Sequence, residues 1–146
     1  MLRNLLANAA SCSMTSDDVI RLFIEWISKY SEAHFKVVSC VYSHSGITRA
    51  EIWQKIHGEA VREDSAEADL FKVIIRDLSM GSVIRQHREV DYHGNFIPKP
   101  RKPRGSSSGY KSAFDDEEQY ELTDLGKQFV HYTMNEIVPK ITGDST

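Results

Sequence analysis

The chain has 146 residues, 40% of them hydrophobic, and a formal net charge of −3. That length suits a single domain, and the apolar content is enough to bury a core, which excludes wholesale disorder. Only two cysteines, Cys12 and Cys40, are present; they exclude a disulfide framework and fit a cytoplasmic protein. No apolar run approaches the roughly 20 residues that a bilayer span requires, so no membrane role is expected.

Residues 1–14 show no clear period and lack the apolar stretch of a secretory signal, so a flexible N-terminal tail is expected there. One domain over 15–141 follows. "TSDDVIRLFIEWISKYSE" opens with Thr15 or Ser16 as N-cap, and Asp17 and Asp18 suit the positive end of a helix. Ile20, Phe23, Ile24 and Ile27 form one stripe; Val19, Leu22, Trp26 and Tyr30 form a second. A helix apolar on two sides needs two partners.

"HFKVVSCVYSHSG" repeats the helical spacing at Phe35, Val38, Val41 and Tyr42, with Gly46 as the stop and Cys40 as a small buried hydrophobe. In "GITRAEIWQKIHG", Thr48 and Glu51 make a capping box and Gly58 closes a short helix, with Ile52 and Ile56 facing inward. "REDSAEADLFKVIIRDLSMGS" predicts a longer helix over 64–80. It has a box-like start at Asp64 and Glu67, a core stripe of Leu70, Val73, Ile74 and Leu78, and Gly81 at its end. Asp69, Lys72, Arg76 and Ser79 lie on the other face.

The period then changes. "SVIRQHREVDY" places Ile84, Val90 and Tyr92 at one parity, the pattern of a partly exposed strand. A loop over 94–118 follows. Within it "NFIPKPRKPRGSSSGYKS" holds three prolines and five Lys/Arg. "QYEL" predicts a short return strand. "TDLGKQFVHYTMNEIVPKI" predicts a last helix capped by Thr123, with Leu125, Phe129 and Tyr132 on one side and Val130, Met134, Ile137 and Ile141 on another. Residues 142–146 are expected to be a tail.

The modest net charge hides a split. From Gly81 to Phe114, seven Lys/Arg stand against Glu89 and Asp91, a net of +5, while the rest of the chain carries −8. A polyanion would meet the first segment and be repelled by the second.

The order of elements, mainly α with a small β-hairpin, resembles that of the winged helix-turn-helix DNA-binding superfamily. "FKVVSCVYSHSGITRAEIWQKI", "ADLFKVIIRDLSMGSVIRQ" and "YELTDLGKQF" carry the resemblance, over about residues 34–130. The additional N- and C-terminal helices are similar to those of dimeric regulators of the MarR and PadR kind. The resemblance implies a cytoplasmic regulator of transcription that binds double-stranded DNA. Its longer helix would approach the major groove, and its hairpin wing the backbone or minor groove. On that reading Lys72, Arg76, Arg85, Arg88, Lys99, Arg101, Lys102, Arg104 and Lys111 contact DNA, and the proline-rich insert forms an oversized wing. Glu63, Asp64, Glu67 and Asp69 sit at the helix end that would enter the groove, where acids repel phosphate. The surplus apolar residues Trp26, Tyr30, Phe129, Val130, Met134 and Ile137 predict a homodimer interface.

Two other uses of the same fold stay open. One is a protein-docking adaptor whose basic wing meets an acidic partner, and the other is a plasmid- or phage-type partition or replication accessory. No enzymatic signature is present. "GSSSG" lacks the strand–turn–helix context of a nucleophile elbow, and no phosphate-binding glycine motif occurs. His87 with His93, and Cys40 with His44, fall short of the three or four ligands that a metal needs, so neither metal nor cofactor is expected.

Overall fold

The computed structural model describes residues 1–11, 16–98 and 112–134. Cys12, Lys99, Arg101, Lys102, Arg104, Lys111, Ile137, Ile141 and the tail 142–146 lie outside them. The fold is mainly helical with one small antiparallel sheet, an α+β arrangement. Its elements are α1 (Leu2–Ser11), α2 (Asp17–Lys29), α3 (Glu32–Ser43), β1 (Ile47–Thr48), α4 (Arg49–Ile56), α5 (Ala66–Met80), β2 (Ile84–Gln86), β3 (Gln119–Leu122) and α6 (Asp124–Thr133). The sheet order is β1-β3-β2, so the last strand in sequence lies in the middle. Ile47 pairs with Tyr120 on one side of it, and Arg85 with Glu121 on the other.

Side-chain caps start the helices where the sequence places them. Ser16 accepts from the Val19 amide, and Thr123 from the Gly126 amide. The Thr48–Glu51 capping box is complete, with each side chain accepting from the other residue's backbone N–H. The longer helix begins one residue later than its box-like start suggested, because Ser65 caps it by accepting from Ala68. Its phase also differs. Ala68, Phe71, Ile74, Ile75 and Leu78 are buried, whereas Leu70 is 57% and Val73 37% exposed. Phe71 decides the phase: its ring packs on Trp53 and Phe114, turning 70 and 73 outward.

Residues 1–14 were expected to be a tail, yet Leu2–Ser11 is a helix with Leu5 buried. It packs on α2 and α6. The apolar face read as surplus is taken up as well. Trp26, Tyr30, Phe129, Val130 and Met134 are all buried in the chain's own core. Phe23, Trp26 and Phe129 form a ring cluster there, with centroids 5.4–5.5 Å apart. These five residues are buried within one chain: the Tyr30 hydroxyl donates to the Asp77 carbonyl of α5, its ring stacks on His34, and Phe129 stacks on Phe35 of α3.

The hairpin departs from expectation as well. β2 ends at Gln86, and the chain reverses over 91–95, ahead of the basic insert. The Asp91 amide donates to the Asn95 carbonyl and the Gly94 amide to the Asp91 carbonyl. The Asp91 carboxylate accepts from the His93 and Asn95 amides, both at 2.9 Å. Gly94 has φ +83°, a conformation that a side chain would strain. Val90 then bridges Phe96, and Ile97 bonds back to Glu89. The insert therefore leaves from partway down the hairpin rather than from its tip.

The far end of the expected loop is also anchored. The Ser112 hydroxyl donates to the Glu63 carboxylate, which also accepts from the Ala113 amide. Ala113 is buried, and Phe114 meets Trp53 edge-on at 5.0 Å. The two ends of the insert thus lie beside the hairpin and beside the turn that precedes α5.

Candidate functional site

Arg49, Arg76, Arg85 and Arg88 line one groove of about 550 Å³, together with Ser79, Met80, Phe96 and Tyr120. It lies where the start of α4, the C-terminal half of α5 and the hairpin meet. Three of these arginines were expected at the site from the sequence. Arg49 was not, and no local signal marks it: it comes into place only through the pairing of β1 with β3.

Each arginine is held differently. Arg49 is the first residue of α4, set by the buried Thr48 cap, whose hydroxyl donates to Asp116 at 2.8 Å. Its Nε–H donates to the Tyr120 hydroxyl at 3.0 Å, and its guanidinium lies over the Tyr120 ring. The Tyr120 hydroxyl in turn faces Glu118, which also accepts from Gln86. Arg85 donates to Glu121, its partner across the strands, at 2.9 Å. The guanidiniums of Arg85 and Arg88 both lie over the Phe96 ring, 5.2 and 5.9 Å from its centroid. Arg76 is exposed on α5 and makes no hydrogen bond or ion pair among the described residues.

Carboxylates offset part of this charge at close range. Glu121 accepts from Arg85 and from the His87 ring, each at 2.9 Å. Burial pushes its pKa up, but the hydrogen bonds and charges of His87 and Arg85 outweigh that and hold it below the ordinary value. The acids near the start of α5 are partly occupied. Glu63 holds Ser112 and Ala113, and Asp64 pairs with Arg62 at 2.8 Å. Glu67 and Asp69 are exposed. The free positive charge therefore lies at the C-terminal half of α5. Lys72 stands on the flank of α5 and does not line the groove.

A second groove, of about 750 Å³, is more apolar. Phe35 and Cys40 of α3, Ile56 and Met134 line it. Cys40 is half-buried rather than buried as expected, and burial raises its thiol pKa against the pull of Lys55. This groove gathers none of the expected DNA-contacting residues. Among the described residues, no group of three His, Cys, Asp or Glu side chains is placed to hold a metal ion, and no helix is long and apolar enough to cross a membrane.

No protein-family model matches the chain, and no match was found among curated proteins or solved structures.

Proposed function

We propose that this chain is a double-stranded DNA-binding protein of winged-helix form, acting as a regulator of transcription. The observation that carries the reading is the convergence of Arg49, Arg76, Arg85 and Arg88 on one groove between a helix and a hairpin. Guanidinium groups suit phosphate because their planar fork matches its oxygens. Four of them around a concave surface form an electrostatic footprint for a polyanion. The order α3-β1-α4-α5-β2-β3, with sheet order β1-β3-β2, supports the winged-helix form.

On this reading the arginines grip the backbone. Base contact falls to the C-terminal half of α5, because Glu67 and Asp69 keep phosphate from its start. The test is fluorescence anisotropy of a labelled mixed-sequence duplex at two salt concentrations. Binding should weaken steeply with salt, with a log–log slope of about 0.9 per phosphate neutralised. Absence of binding at low salt sinks the proposal.

One observation favours a second reading, a protein-docking module. Leu70, Val73 and Met80 form an exposed apolar stripe on α5, with Met80 79% exposed. Under it, Leu70→Asp would abolish a salt-insensitive protein complex. Under the first reading Met80, which lines the arginine groove at the C-terminal end of the stripe, faces base edges, where thymine methyl groups are apolar partners.

A further inference from the structure

We propose that Tyr92 is an aromatic wedge whose ring stacks at an opened base step of duplex DNA held in the arginine groove. This rests on the DNA-binding reading above and adds a contact which that reading does not require.

Tyr92 is 98% exposed at the apex of the hairpin. Its only ring neighbour among the described residues is His93, edge-on at 5.5 Å. The turn beneath it is held rigid by two backbone hydrogen bonds and by the Asp91 carboxylate, which accepts from two amides. The chain thus fixes the backbone under a side chain that does nothing for the fold. Ordering completed on folding is not charged to binding, and a tyrosine ring has few rotors left to freeze.

The flanks of the apex are apolar too. Val90, Phe96 and Ile97 are 56, 45 and 43% exposed. Lower on the same hairpin, Arg85 and Arg88 sit over Phe96. Cationic and apolar surface therefore adjoin on the hairpin, with Arg85 and Arg88 against Phe96 and the Tyr92 ring beyond them, an arrangement that suits contact with both phosphate and base. Two acids share the hairpin. The Asp91 carboxylate is taken up by its own turn, and Glu89 is exposed. Every base offers a π-face, so stacking on Tyr92 tolerates sequence. Opening a step is easiest at pyrimidine–purine steps such as T–A and C–A, and apolar wedges exploit such steps. The preferred ligand class is a duplex with such a step within reach of the groove.

The experiment uses the full chain and a duplex carrying 2-aminopurine in its T–A steps, read by 2-aminopurine fluorescence and by anisotropy at two salt concentrations. Binding should raise the fluorescence as the probe unstacks. Tyr92→Ala should remove that rise and weaken binding about 5- to 150-fold, the usual range for losing one base–aromatic stack. Tyr92→Phe should keep both, and all three proteins should share one salt slope. Salt-sensitive binding with no fluorescence change and equal affinity for Tyr92→Ala overturns the wedge and leaves the phosphate grip standing. No binding of the unaltered chain at low salt overturns both.

Discussion

The Nε–H of Arg49 donates to the Tyr120 hydroxyl at 3.0 Å, joining residues 71 apart in sequence. The bond uses one of five guanidinium N–H groups and fixes the direction of the others. Tyr120 is buried and also pairs with Glu118, so its hydroxyl is a fixed post rather than a mobile one. Replacing Tyr120 with Phe keeps the packed ring and removes the post. Stability should fall by about 1 kcal/mol, the net worth of a typical hydrogen bond. Duplex affinity should fall severalfold as Arg49 loses its direction. Arg49→Ala should lower affinity further and reduce the salt slope by about 1. Urea unfolding and anisotropy read the two effects separately.

Arg76 offers a cleaner separation of binding from folding. It has no partner among the described residues. Arg76→Ala should leave stability within about 0.5 kcal/mol, as exposed substitutions do. Its salt slope should fall by about 1 if it meets phosphate alone. A change in which duplex is preferred, at an unchanged slope, would place Arg76 on a base edge instead.

Glu121 restrains the site. Its folded pKa lies below the ordinary 4.5. The stability it contributes is therefore fully present above about pH 4.5 and is lost as pH falls through the depressed folded value. Glu121→Gln should be less stable than the parent at neutral pH, and the gap should close in acid. The same variant releases Arg85 and His87 from a carboxylate, so duplex affinity at low salt should rise. Denaturation across pH 3–7 gives the first result and anisotropy the second. A variant that binds less tightly would show that Glu121 orients Arg85 for contact rather than competing for it.

What the sequence made legible was what neighbours in sequence decide. The caps at Ser16, Thr48 and Thr123 and the strand over 119–122 needed only local pattern, and they lie where the pattern puts them. Arg85 and Arg88 were legible as part of a basic strand leading to a basic insert. Features set by distant contacts were not. The phase of α5 depends on Phe71 meeting Trp53 and Phe114, and Phe114 lies 43 residues beyond Phe71 in sequence. Arg49 belongs to the site only through the register of β1 against β3. In "VDYHGN" Asp91 and Gly94 stand three apart and make the turn, but the alternation of Val90 and Tyr92 reads as continuing strand.

The N-terminal helix supplies the sharpest test of the core. A tail read from "MLRNLLANAA" would tolerate any substitution. Leu5 is instead 1% exposed, and the Asn4 side-chain amide donates to the Thr133 carbonyl of α6. The helix packs on α2 and α6 of the same chain. Leu5→Ala should therefore cost about 2–5 kcal/mol, as for other buried leucines. Phe129→Ala should cost about 3–5 kcal/mol by the same reasoning. Both losses should be independent of protein concentration in urea unfolding, because the contacts lie within one chain. A midpoint that moves with protein concentration, and a loss in Phe129→Ala confined to dilute samples, would return Phe129 to an interface between copies. A loss below about 0.5 kcal/mol for Leu5→Ala would return residues 1–14 to a tail.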